Sequence, residues 1–544
     1  MTKLINALLN PSLYDHAVDQ IELVETHISW VLLTGDFAYK IKKPVNFGFL
    51  DFSSLEKRRH YCEEELRLNR RFAPELYLDV ITITGTEDQP AVKGTGEVLE
   101  YAVKMKQFPP ESLLSTLLDC GDLREIHMDW LAQVIAGFHL QADIAEAESK
   151  FGTLEAVAQP VSENFRQIRH QIQDPDILLQ LASIEKWSTD AFNRLQPEFR
   201  KRKLEGYIRE CHGDLHLGNI ILLNEKVIPF DCLEFNENLR WIDVLSEIAF
   251  LVMDLDDHQR PDLSRRLLNS YLEQTGDYRN LALLQYYMVY RAMVRAKVNA
   301  LRLNQDGLDQ QEIDSVLKDC RNYITLGNLY ITDRKPVLII THGFSGSGKT
   351  TISQYILQAL PVIRIRSDVE RKRLHREQGS DGSGDENNRS GQSAVNEGIY
   401  TRESSGMTYD HLQMLAEDII LAGMSVIVDA AFLQNVQRQK FSQLAVMLDV
   451  PFRIIDCHAE HSILEQRISE RQKYGSDASD ATLDVLLNQQ ESHDPLTEEE
   501  ISQSFSMDTT EASAIKTVTD PLLALMHGHA APDSFSDNEI LKHT

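Results

Sequence analysis

The chain has 544 residues, 42% of them hydrophobic and 25% charged, with a formal net charge of −28. These proportions are those of a folded globular protein, and the length suits two large domains or three smaller ones. The acidic balance excludes a sequence-independent nucleic-acid binder, which needs a basic field, though it leaves room for a nucleotide-like substrate.

No run approaches the roughly 18 apolar residues that span a bilayer, so no membrane partner is expected. The six cysteines (Cys62, Cys120, Cys211, Cys232, Cys320, Cys457) are far apart and contain no C-x-x-C pair. Neither a zinc site nor a disulfide framework follows, and a reducing compartment fits. Residues Met1 to Asn6 lack the apolar core and cleavage site of a signal peptide, so the expected location is the cytoplasm. There is no internal repeat, and the oligomeric state is not legible.

In chain order, Trp30 to Lys42 reads as a hairpin whose second strand places Lys40 and Lys42 on one face. A phrase of unassigned role follows, Lys42-Lys-Pro-Val-Asn-Phe-Gly-Phe-Leu-Asp-Phe52. Glu63, Glu64 and Glu65 then lie on a helix, where Glu65 shares a face with Tyr61, Asn69 and Phe72. A solvated helix face is the alternative for each glutamate. The most informative stretch is His212-Gly-Asp-Leu-His-Leu-Gly-Asn219, followed by the strand Ile220 to Leu223 and then by Asp231. An aspartate, an asparagine five positions on and a second aspartate after a short strand suit phosphoryl transfer. The acceptor hydroxyl must be held in line, and metal must neutralise charge on the phosphates.

Those residues resemble the aminoglycoside phosphotransferase, or choline-kinase-like, family, which has a protein-kinase-like fold. Leu217 stands where that family has proline, and Cys232 where it has phenylalanine. The resemblance implies that Asp214 is the catalytic aspartate and that Asn219 and Asp231 are metal ligands. It also implies a strand lysine and a helix glutamate in the N-terminal lobe, best matched by Lys40 and Glu65. Glu25 to Ser29 takes the place of a glycine-rich phosphate loop, and Glu100 to Phe108 resembles the strand and interlobe hinge that meet adenine. Asp243, in Trp241-Ile-Asp-Val244, is expected to hydrogen-bond the catalytic loop.

A helical stretch from Leu281 to Leu301 and another from Ile313 to Tyr330 precede a boundary near 305–335. The apolar run Val337 to Ile340 leads into Gly343-Phe344-Ser345-Gly346-Ser347-Gly348-Lys349-Thr350, with Thr351 continuing a helix start. This strand, G-x-x-x-x-G-K-T loop and helix form a phosphate-binding loop. Glycines let backbone N–H groups converge on phosphate, Lys349 reaches the β/γ-phosphates, and the Thr350 hydroxyl ligates Mg²⁺. After the strand Val362 to Ile365 comes Asp368, with Arg371 three residues on. That pair resembles small P-loop kinases of the polynucleotide-kinase, gluconate-kinase and zeta-toxin type, in which the aspartate is the acceptor base. A helix N-cap is the alternative role for Asp368.

The low-apolar segment 378–392 reads as a mobile loop beside the substrate site. Ser425 to Ala430 is a buried strand whose Asp429 is placed to hold Mg²⁺ through water. On the helix Ile463 to Arg471, Arg467 and Arg471 share a face. The P-loop-kinase resemblance makes them lid arginines; a surface salt-bridge face is the alternative. Residues 475–481 read as the lid turn, and the tail from Pro521 as only partly ordered.

The whole chain, to about residue 525, resembles bacterial two-domain proteins of the bifunctional aminoglycoside phosphotransferase/ATP-binding type. The expected architecture is a bilobal α+β protein-kinase-like domain over 1–330 and an α/β P-loop domain over 336–525. The latter would have a parallel sheet with helices on both faces, and 526–544 would be a poorly ordered tail. The expected activity is ATP- and Mg²⁺-dependent phosphoryl transfer to hydroxyl groups of small molecules. The rival readings are a P-loop kinase regulated by a silent kinase-like sensor and a nucleotide-switched binding protein.

Overall fold

A computed structural model describes residues 2–48, 50–303, 308–379, 402–474, 482–510 and 515–527. Most of the 378–392 loop, the lid turn at 475–481 and all but the start of the C-terminal tail lie outside them. The chain forms two compact units, one of residues 1–259 and 283–330, the other of 260–282 and 331–544. Residues 260–282, which the sequence reading kept with the first domain, therefore fall in the second unit.

Unit 1 begins with an antiparallel sheet of six strands: β1 (Glu22–Glu25), β2 (Ser29–Leu33), β3 (Phe37–Lys42), β4 (Tyr77–Thr86), β5 (Gln89–Val92) and β6 (Val98–Lys106). Their order is β1-β2-β3-β6-β4-β5. Alternation in β3 buries Tyr39 and Ile41 in one core, with Leu32, Ile81 and Ile83, under the helix Thr2–Leu8. The opposite face of β3 carries Lys40 and Lys42, as period-2 geometry requires. The helix Leu55–Asn69 starts where Ser54 Oγ accepts the Lys57 N–H at 3.2 Å. It buries Arg58, Cys62, Glu65 and Asn69.

The rest of unit 1 is mainly helical and includes Glu125–Gln141, Pro175–Leu204, Val244–Asp257, Ala282–Arg302 and Gln310–Tyr330. Among these helices run two short antiparallel pairs. β7 (Ile208–Glu210) pairs with β10 (Trp241–Asp243), and β8 (Ile220–Leu223) pairs with β9 (Lys226–Pro229).

Unit 2 is built on β11 (Leu338–His342), β12 (Val362–Arg366), β13 (Ser425–Asp429), β14 (Phe452–His458) and β15 (Ser504–Asp508). All neighbours are parallel, in the order β12-β13-β11-β14-β15. Every residue of β11 and β13 is buried, the mark of a parallel sheet covered on both faces. The helix Pro261–Thr275 serves the edge strand β12. Asn269 Oδ1 accepts the Arg364 N–H at 2.7 Å, and Asn269 Nδ2 donates to the Val362 carbonyl at 3.4 Å. A side-chain amide thus satisfies backbone groups that an open edge leaves unpaired. The helix Lys516–Met526 runs through Pro521 because Val518, Leu522 and Leu525 bury against Ile356 and Ile455. Among the described residues, no helix is long and apolar enough to cross a membrane.

Candidate active sites

In unit 1 the two short sheets bring two loops together. Segment 211–219 runs from β7 to β8, and segment 230–240 runs from β9 to β10. They are tied by Phe230 N–H to the Asn219 carbonyl and Leu233 N–H to the His212 carbonyl, each at 2.9 Å. Asn219 Nδ2 donates to the Asp214 carbonyl at 2.9 Å and to Asp214 Oδ2 at 3.3 Å. The amide nitrogen therefore faces Asp214, and Oδ1 points away from it. Asp231 has φ of +62°, a left-handed conformation that aspartate tolerates better than most residues. Its N–H donates to the Tyr77 hydroxyl at 3.1 Å.

Lys40 Nζ lies 2.5 Å from Asp231 Oδ1 and 2.8 Å from Glu65 Oε1. The hairpin lysine, helix glutamate and loop aspartate thus meet although they are distant in the chain. Glu65, rather than Glu63 or Glu64, makes this contact; Glu63 pairs with Arg59 at the surface, and Glu64 with Arg67 and the buried Arg240. Lys42 Nζ reaches Glu65 Oε2 at 2.6 Å and also pairs with Glu234. Burial opposes charge on Glu65, but the two lysines outweigh it and hold its carboxyl below the usual range. The phrase after Lys42 folds into a tight loop in which Phe47 N–H bonds the Leu50 carbonyl and Phe52 N–H bonds the Val45 carbonyl. It brings the buried Phe52 ring to 4.9 Å from Lys42 Nζ. Phe49, in the same phrase, lies outside the described residues.

Burial also opposes charge on Asp214, yet the His216 imidazole, with Nε2 3.6 Å from Oδ2, holds it well below the usual carboxylate range. The same contact lifts His216 against the effect of burial. Asp214 is thus a permanent carboxylate near neutral pH, suited to orienting a hydroxyl more than to removing its proton early. Two acids on the helix Val244–Asp257 brace its loop. Glu247 accepts the N–H groups of His212 at 2.5 Å and Gly213 at 3.0 Å, and Asp254 accepts that of Leu217 at 2.9 Å.

Asp243 does not make the expected bonds to the catalytic loop. It caps that helix through the Leu245 N–H at 2.9 Å and forms a two-pronged buried pair with Arg202 at 2.6 and 2.7 Å. An N-cap carboxylate turns toward its own first turn, so the loop-facing role falls one turn later, to Glu247. Glu247 and Asp254 carry no local motif. Their 35- and 37-residue separation from the loop hides them from sequence reading.

In unit 2 the phosphate loop leaves β11 and enters the helix Lys349–Ala359. Gly343, Gly346 and Gly348 all have positive φ. A Cβ on Gly343 would stand 2.2 Å from the Cys457 carbonyl oxygen, and one on Gly346 2.8 Å from that of Leu464. Only glycine fits so close to β14 and the helix after it. Lys349 Nζ donates to the Phe344 carbonyl at 2.7 Å, and burial lowers its pKa. Ser353 Oγ bonds Asp429 Oδ2 at 3.1 Å, joining the first turns of the helix to the end of β13.

A cavity of about 860 Å³ opens here, lined by Lys349, Thr350, Asp368, Arg371, Asp429 and Arg471 among others. Burial raises the Asp368 pKa, and Arg371, 3.6 Å away, works against that rise. Asp368 lies inside the first turn of the helix Ser367–Gly379. The arginine pair is divided. Arg471 lines the cavity, whereas Arg467 bonds the Gly346 carbonyl at 3.2 Å and Thr509 Oγ1 at 2.8 Å, bracing the phosphate loop.

Both sites present hard oxygen donors suited to Mg²⁺: the Asn219 amide oxygen and Asp231 carboxylate in unit 1, the Thr350 hydroxyl and Asp429 carboxylate in unit 2.

Residues 50–284 match the model of the phosphotransferase enzyme family, and residues 338–496 match that of an AAA domain. An uncharacterized protein of Mycobacterium tuberculosis (strain H37Rv) is 29% identical over 465 residues, covering 84% of this chain and 88% of its own. A Mycobacterium bovis protein gives the same values. Among solved structures, amicoumacin kinase hAmiN in complex with AMP-PNP, Ca²⁺ and Ami is 12% identical, covering 60% of this chain and 92% of its own, with a TM-score of 0.38. A gluconokinase from Sinorhizobium meliloti is 18% identical, covering 36% of this chain and 96% of its own, with a TM-score of 0.26. Residues 50–284 are thus similar to the phosphotransferase enzyme family, and residues 338–496, which carry the phosphate-binding loop, to an AAA domain.

Proposed function

We propose that each unit transfers the γ-phosphoryl group of ATP to a hydroxyl group of a small molecule, with Mg²⁺ as cofactor. The observation that carries this reading is the meeting of Lys40, Glu65 and Asp231 in one ion-paired cluster, beside a loop in which Asn219 binds Asp214. Sensors and switches have no need of an ionised carboxylate at the acceptor position.

In unit 1, Asp214 orients the acceptor hydroxyl, Lys40 meets the phosphates, and Asn219 and Asp231 hold the metal. When bound, Mg²⁺ neutralises charge on the β- and γ-phosphate oxygens. In unit 2 the amides of residues 343–351 and Lys349 hold the phosphates, Thr350 and Asp429 hold the metal, and Asp368 takes the acceptor proton. Its raised pKa brings it nearer the range useful to a general base. Arg471, on the cavity wall, stabilises charge on the transferring group, and Arg467 keeps the loop that it braces in shape.

The test is transfer of label from γ-labelled ATP into a fractionated metabolite extract. The parent protein should label at least two acceptors. Asp214→Asn should remove one set and Lys349→Ala the other. Label transfer untouched by both substitutions would refute the proposal.

A further inference from the structure

In a chain with 83 acidic residues against 55 lysines and arginines, the helix Ala282–Arg302 carries Arg291, Arg295, Lys297 and Arg302 and no acid. Arg291 and Arg295 stand four positions apart and share a face. Arg291 is fixed to the loop that bears Asp214. Its Nη1 donates to the Gly213 carbonyl at 3.4 Å and its Nε to the Ser246 carbonyl at 3.0 Å. Its guanidinium lies 4.8 Å from the Phe250 ring, which also packs against His216. Arg295 begins one helical turn further on, about 6 Å along the axis. From there its charge reaches both the Asp214 carboxylate and the His216 imidazole.

Arg291 is held by backbone carbonyls, whereas Arg295 is left with little to bind. Its side chain is half-buried, its Nε donates to the Tyr323 hydroxyl at 3.4 Å, and its guanidinium lies 5.7 Å from the same ring. Among the described residues it forms no ion pair. The nearby acids are engaged elsewhere: Asp214 leans toward His216, and Asp254 accepts the Leu217 N–H. A guanidinium largely withdrawn from water without a carboxylate is unfavourable, and its planar fork matches a carboxylate or a phosphate. The Asp214 side chain is 42% exposed, so the acceptor side of its loop is open to a ligand. Under the proposed function, on which this inference rests, we infer that the acceptor of unit 1 is an anion. Beside the hydroxyl that Asp214 orients, it carries a carboxylate or phosphate group that Arg295 binds. A polycationic amino sugar would instead set like charge against Arg295.

The probe is a metabolite extract divided on ion-exchange resins into anionic, neutral and cationic fractions. Each is incubated with γ-labelled ATP, Mg²⁺ and full-length protein carrying Lys349→Ala, which silences unit 2. Label that disappears when Asp214→Asn is added belongs to unit 1. That label should appear in the anionic fraction. Arg295→Met should cut its initial rate at least tenfold while changing the affinity for Mg²⁺·AMP-PNP less than twofold, which also shows that the variant folds. Arg295→Lys keeps the charge without the fork and should fall between the two. Phosphatase treatment of the anionic fraction before the assay identifies the group: lost label means a phosphate ester and retained label a carboxylate, and the inference holds with either. Asp214-dependent label confined to the neutral or cationic fraction would overturn the inference and leave the proposed function standing. Loss of nucleotide affinity in step with transfer in Arg295→Met would also overturn it, since Arg295 would then serve ATP or the fold. No Asp214-dependent label in any fraction would refute the proposed function of unit 1, and the inference with it.

Discussion

Asp214 and Asp368 occupy corresponding places in the proposed chemistry but opposite electrostatic settings. His216 keeps Asp214 below the ordinary carboxylate range, whereas burial moves Asp368 above it. For an acid, a raised pKa means that the ionised form is lost at higher pH as the solution is acidified. Acceptor phosphorylation by unit 2 should therefore fall first on acidification, while transfer by unit 1 persists to lower pH. Separate pH–rate profiles of the Asp214→Asn and Lys349→Ala proteins check this; coincident acid limbs would count against the assignment. Asp214→Asn itself should lower turnover in unit 1 by about 10²–10⁴-fold, the usual scale for a positioned acid–base group. Circular dichroism should show an unchanged fold, because Asp214 contributes no core packing.

Residues with a tertiary partner only were the hardest to read. Lys40, Glu65, Asp214, Asn219 and Asp231 sit in recognisable local patterns, and the structure brings them into one region. Glu234, Glu247 and Asp254 act through contacts made after folding, and nothing in their neighbours distinguishes them from surface acids. Asp243 shows the converse: its pattern was visible, but its partner, Arg202, lies 41 positions away on another helix. Neither side chain of that pair is more than 1% exposed. Asp243→Asn should cost about 3–5 kcal/mol by breaking this buried ion pair at one partner. Chemical denaturation of the intact protein measures that loss, and a change under 1 kcal/mol would contradict it.

At the scale of elements, the phosphate loop was legible because strand, loop and helix are contiguous. The glycine contacts explain why substitution is costly. Gly343→Ala puts a Cβ against a backbone carbonyl of β14 and strains a φ of +136°. Such backbone strain costs on the order of 1–3 kcal/mol, and displacement of the loop should weaken nucleotide binding in unit 2. Binding by a protein already carrying Lys40→Met isolates that site and should fall at least tenfold. The division of Arg467 from Arg471 is another matter of elements: a shared helix face at i, i+4 does not ensure a shared environment. One guanidinium meets the loop backbone and Thr509, the other the cavity. The helix Pro261–Thr275 groups with unit 2 by its contacts. Its decisive feature is one side chain, Asn269, completing the hydrogen bonds of an edge strand that lies 93 residues further on.

At the scale of the molecule, the proposed function gives the chain two unrelated ways of holding a nucleoside triphosphate. One uses side chains and metal on paired loops; the other uses backbone amides at a helix N-terminus. The central claim is that both sites bind. Calorimetric titration with Mg²⁺·AMP-PNP tests it most directly, in the parent, Lys40→Met, Lys349→Ala and doubly substituted proteins. The account predicts two nucleotides per chain in the parent, one in each single variant and none in the double. A parent that binds one nucleotide, lost entirely with Lys349→Ala, would contradict it.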